Sequence, residues 1–127
     1  MSVQNTRSIW LALASLLGLL AVVLGAFGAH SLEKILDPAL LKRYHTGVEY
    51  QFYHSLALLG VGLWFKIAPS KLLSYAGLLF TLGIILFSGS LYVYALSGIK
   101  TFGMITPLGG IAFIAGWALM LYTAWTT

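Results

Sequence analysis

Apolar residues fall into four long runs, at 9–29, 46–65, 72–96 and 107–125, divided by short polar breaks. Each run approaches the roughly 20 residues that cross about 30 Å of hydrocarbon. The pattern predicts an all-α fold, an integral membrane four-helix bundle, in a single domain covering residues 1–127. The first run exceeds the roughly 7–15 apolar residues of a signal peptide, so it reads as a retained span flanked by Arg7.

Local signals set the helix ends. Asp37-Pro38 and Thr106-Pro107 each pair a capping residue with a proline suited to a first helical position, and Ser70 is a further cap. Ser31 with Glu33 suits a short helix start, and Ser97-Gly98 a helix end. The segment 31–43 sets Leu32, Ile35, Leu36, Leu40 and Leu41 against Glu33, Lys34, Lys42 and Arg43, which describes a short amphipathic connector between spans one and two. An uninterrupted helix over 38–65 would be about 42 Å long, so its first turns are expected to stand at headgroup level. In the first span Ala14, Gly18, Ala21, Gly25 and Gly28 recur at steps of four, three, four and three. Gly109 and Gly116 give the fourth span a similar small face. Such stripes let helix backbones approach closely. In the third span Gly77, Thr81, Ser88, Tyr92 and Ala95 share roughly one face, and Trp117, Tyr122 and Trp125 are expected near an interface.

Composition sharpens this picture. Hydrophobic residues make up 60% of the 127 positions and charged residues 8%, against about one half and one quarter in a soluble domain. The net charge of +4 comes from scattered lysines and arginines at span ends, which read as headgroup anchors, and no aromatic-plus-basic groove suggests nucleic acid. Arg7, Lys66 and Lys71 fall on one side of the four-span scheme; Lys34, Lys42, Arg43 and Lys100 fall on the other. That near balance leaves the orientation open. Cysteine is absent, which excludes disulfides and thiol chemistry.

Candidate chemistry concentrates in 44–54, where His45, Glu49, Tyr50, Gln51 and His54 run into a membrane-grade segment. Ionisable groups at such depth are costly and usually face a bundle interior or a site. His45 and Glu49 share one helix face; Tyr50 and His54 share another. With His30, Ser88 and Tyr92 they form a candidate polar intramembrane cluster. Glu49 admits three readings: a buried, hydrogen-bonded structural acid, a proton- or cation-linked site, or a headgroup contact. His45 and His54 point in opposite directions on one helix and cannot share a metal, whereas a His30–His54 or His30–Glu49 pair across two helices remains a metal or haem alternative. No catalytic constellation can be assembled, and no cofactor is called for.

Five blocks occur in order: Gly25-Ala26-Phe27-Gly28-Ala29-His30, Tyr53-His54-Ser55-Leu56-Ala57-Leu58-Leu59, Leu86-Phe87-Ser88-Gly89-Ser90-Leu91-Tyr92, Ile105-Thr106-Pro107-Leu108-Gly109-Gly110 and Gly116-Trp117. In these the chain resembles the small membrane-protein family called domain of unknown function 423, with YgdD-like and YwdK-like bacterial members and the eukaryotic transmembrane protein 256. The resemblance implies about four spans and no established activity, substrate or cofactor. His30, His54, Ser88, Ser90 and Thr106 carry over as motif members without a role.

The combined expectation is a multi-pass protein of the bacterial inner membrane without a catalytic centre. It would act by binding lipid, a quinone-like molecule or a larger membrane complex, and its glycine faces would serve a homo-oligomer or contacts with other membrane proteins. The alternatives are an oligomeric proton-coupled transporter using Glu49, and metal or haem binding through His30 and His54.

Overall fold

A computed structural model describes residues 8–127; Arg7 lies outside them. Helix α1 spans Ile9–His30, and the Ser8 hydroxyl oxygen caps it by accepting from Leu11 N–H at 3.2 Å. A 3₁₀ turn, Leu32–Lys34, follows; Ser31 makes no side-chain cap bond to it. Helix α2 covers Pro38–Ile67, with Pro38 in its first turn and the Asp37 carboxylate accepting from Ala39 N–H at 3.3 Å. Ser70 caps α3, Lys71–Gly83, by accepting from Leu72 N–H.

The third apolar run does not continue as a uniform α-helix. A π-helical turn, Ile84–Ser88, joins α3 to α4, Gly89–Ser97, within one helical stretch. Its wider winding moves the inward face by part of a turn, which periodicity alone does not register. Gly98, in the left-handed conformation at φ 72°, then stops α4. After a second 3₁₀ turn, Lys100–Met104, helix α5 runs over Thr106–Thr126. Thr106 does not cap α5 as the sequence suggested. Its hydroxyl lies 2.6 Å from the Ser90 hydroxyl, tying α5 to α4.

The stretches Ile9–Lys34, Lys71–Ser97 and Lys100–Thr126 are long and apolar enough to cross a membrane. Helix α2 is longer, about 45 Å at 1.5 Å per residue, but its middle holds the polar run that lowers its hydropathy. It is also the helix the others share: α1 packs along it on one side, and α3, the π turn and α4 on another, while α5 packs against α3 and the π turn. The main core joins Leu58 and Val61 of α2 to Leu73, Phe80, Ile84 and Phe113; a second, smaller core at the other end gathers Leu32, Tyr44 and Ala95.

Within the bundle, the small-residue stripes pack against neighbouring helices of the same chain. Ala14, Ala21 and Gly28 are buried, and the stripe looks toward Ser55, Val48 and Tyr44 of α2. Gly109 allows α5 to lie on the backbone of Phe87 in the π turn, and Gly116 sits under the Phe80 ring. Closeness is uneven. A Cβ at Gly28 would fall 2.9 Å from Tyr44 Cδ1 and one at Gly109 2.7 Å from Phe87 Cα, but one at Gly18 would find only Ser55 Cβ at 3.9 Å.

Candidate functional site

Positions 44, 47, 51, 54 and 58 recur at steps of three and four, with 55 beside 54, so they line one face of α2, and all six are buried. Four of them have polar side chains and one, Gly47, exposes a carbonyl. The result is a seam of polar contacts running down the bundle. Tyr44 Oη donates to the Leu24 carbonyl of α1 at 2.5 Å. Ser88 Oγ, on the π turn, donates to the Gly47 carbonyl at 2.6 Å. Gln51, only 3% exposed, donates from Nε2 to the Leu17 carbonyl at 2.8 Å and accepts on Oε1 from Tyr92 Oη at 2.6 Å. One amide thus binds α1, α2 and α4 together. Ser55 Oγ returns its proton to the Gln51 carbonyl at 2.6 Å.

His54 ends the seam. Trp117 Nε1 lies 3.1 Å from His54 Nε2, and His54 Nδ1 lies 2.8 Å from the Tyr50 carbonyl. An indole nitrogen only donates and a carbonyl only accepts, so the proton is assigned to Nδ1 and Nε2 is the acceptor. Both ring nitrogens are engaged in the neutral tautomer. The Phe113 ring stacks on the imidazole at 3.5 Å and 8°. Among the described residues no buried side-chain nitrogen or oxygen lacks a hydrogen-bond partner.

The seam differs from the cluster expected from sequence. His54, Ser88 and Tyr92 belong to it, though to different partners. Glu49 does not. It lies two residues past Gly47, about 200° around the helix, and is exposed on the outer face of α2 with Tyr53 Oη 3.5 Å from its Oε2. Tyr50 stands between, its ring 5.7 Å from Tyr53 and 4.6 Å from Phe87. His45 is half-buried, edge-on to Tyr44, and His30 is exposed at the end of α1. Gly28 of α1 is level with Tyr44 and α1 runs antiparallel to α2, so His54 lies about twelve residues, roughly 18 Å, along the bundle from His30. With its Nε2 lone pair also taken, His54 forms no metal site with His30, and no group of three potential ligands occurs among the described residues. Trp117 is likewise not an interfacial anchor. It sits midway along α5, half exposed, with its indole turned inward to His54.

Gln51 and Trp117 are the members that residue type alone does not reveal. The three-and-four spacing from Tyr44 to Leu58 carries Gln51; no local signal carries Trp117, whose partner is 63 residues away.

Comparison with known proteins decides the family. The family model described as "Protein of unknown function (DUF423)" matches residues 24–110, from just before the first shared block to Gly110. The chain belongs to DUF423. Its relatives include the UPF0382 inner membrane protein YgdD of Escherichia coli K12, 42% identical over 119 residues, covering 94% of this chain and 91% of the relative. The UPF0382 membrane protein YwdK of Bacillus subtilis 168 is 44% identical over 117 residues, 91% and 95% of the two chains. The UPF0382 membrane protein SH2409 of Staphylococcus haemolyticus is 41% identical over 113 residues, 89% and 92%. No solved structure matches this DUF423 chain. With three helices able to cross a membrane, this DUF423 member is a multi-pass protein of the bacterial inner membrane.

Proposed function

We propose that this DUF423 protein spans the membrane four times, has no catalytic centre, and acts by binding membrane lipid along its outer surface. One observation carries the reading: the buried polar groups of the seam are already paired with one another, so the groups left for a ligand lie outside. The pairing also supports α2 as the fourth span, because its amide, imidazole and hydroxyls meet protein rather than lipid. On the lipid-facing side α1 and α2 leave an apolar groove of about 400 Å³, lined by Ala14, Gly18, Val22, Phe52 and Leu56 among others. Its walls and its position along two hydrophobic helices suit an acyl chain.

Purification in mild detergent followed by lipid mass spectrometry tests this. Phospholipid retained through extended washing is the expected result. Retention of a quinone or a stoichiometric protein partner in place of phospholipid would contradict it.

A second reading, proton-coupled transport between protomers, draws on Glu49. Val48, its neighbour, lies against Gly25, about 8 Å in from the end of α1, so the carboxylate meets the lipid-facing side below that end. Proton-coupled flux in liposomes that is abolished by Glu49→Gln would favour transport over lipid binding.

A further inference from the structure

At the end of the bundle where α2 begins, a cavity of about 350 Å³ opens between α2 and α4, lined by Ala39, Lys42, Arg43, Thr46 and Leu91. Two cations from adjacent positions share it. The Arg43 guanidinium carbon lies 4.5 Å from the centroid of the Tyr94 ring. That ring is itself nearly buried, and the turn Lys100–Met104 seats against it so closely that a Cβ at Gly103 would come within 2.9 Å of Tyr94 Cε2. The aromatic platform therefore holds the guanidinium in place by cation–π attraction.

The other charged groups at this end do not neutralise the pair. Asp37 caps the first turn of α2 through Ala39 N–H, Glu33 is exposed on the preceding turn, and Lys34 and Lys100 add positive charge. Among the described residues neither Lys42 nor Arg43 pairs with a carboxylate. The Thr46 hydroxyl turns back to the Lys42 carbonyl at 3.0 Å, which spends its proton and leaves the two cations as the donors.

We propose that this cavity holds the phosphate of an anionic phospholipid headgroup, with Arg43 gripping two oxygens through its planar edge and Lys42 adding a point charge. A phosphate diester supplies the negative charge and the paired acceptors that this donor set lacks. A lipid is the source because the cations stand one turn before the apolar part of α2 and the cavity wall includes Leu91. The proposal rests on the lipid-binding reading and gives it a headgroup class and an address.

Native mass spectrometry of the full chain in detergent tests it, titrated with phosphatidylglycerol, phosphatidylethanolamine or glycerol phosphate. The parent should prefer phosphatidylglycerol. Lys42→Gln/Arg43→Gln should weaken that binding about thirty-fold, the effect of two interfacial cations. Arg43→Lys alone should weaken it a few-fold, because charge remains but the planar fork is lost. Lys66→Gln/Lys71→Gln, an equal charge loss at the other end, should leave it unchanged. Undiminished phosphatidylglycerol binding by the double variant overturns the site while leaving lipid binding in place. An equal loss in the Lys66/Lys71 control, or glycerol phosphate binding as tightly as the lipid, also overturns it. A parent that holds no phospholipid overturns both readings.

Discussion

Trp117 of α5 donates its indole N–H to Nε2 of His54 on α2, across 3.1 Å and 63 residues of sequence. The contact joins two helices that otherwise meet through the stacked His54 and Phe113 rings and through α3 and the π turn, and it fixes the imidazole as the neutral Nδ1–H tautomer. Trp117→Phe retains an aromatic ring but removes the donor. It should destabilise the protein by about 0.6–1.7 kcal/mol, the range for interhelical hydrogen bonds in membranes. Nitrogen-15 spectra of His54 should show a protonated Nδ1 in the parent. A parent imidazole protonated at Nε2 would mean that the indole bond does not form.

Gln51 and Glu49 sit two residues apart and should behave oppositely. Gln51→Leu strands Tyr92 Oη and the extra bond to the Leu17 carbonyl, so it should lower the melting temperature in detergent. Glu49→Leu strands only the long contact from Tyr53 and should melt like the parent or later. Equal losses for the two variants would show that the acid, not the amide, holds the bundle.

The glycines should separate by the space around them. Gly28→Ala and Gly109→Ala force a methyl group into the Tyr44 ring and the Phe87 backbone, so both should destabilise, Gly109→Ala more because backbone cannot turn aside. Gly18→Ala meets an ordinary contact at 3.9 Å and should be neutral. Thermal melts of the three variants check this, and a Gly18→Ala loss matching that of Gly109→Ala would refute the packing described.

Helix positions were legible in the sequence because they rest on local chemistry: the Asp37-Pro38 start, the Ser70 cap and the Gly98 stop all appear where the residues placed them. The π turn was not, because Ile84–Ser88 is as apolar as its surroundings and the partners it packs against, Gly47 and Gly109, are distant in sequence. For the site, residue type misled. Glu49 drew attention as the costly group in a span, yet its angle on α2 turns it outward, while the uncharged Gln51 faces two neighbouring helices. The spacing 44, 47, 51, 54 held that answer. The His54–Trp117 pair depends on how α5 packs across the bundle, which no local pattern encodes.

That α2 crosses the membrane, with its polar seam turned inward, is the centre of this account. The chain has no cysteine, so single-cysteine variants report position without background. An impermeant thiol reagent applied to intact and opened cells should label Lys34→Cys and Lys100→Cys from one side, and Lys71→Cys and Thr127→Cys from the other. Labelling of Lys34→Cys and Lys71→Cys from the same side would contradict it, because α2 would then lie along the membrane instead of spanning it.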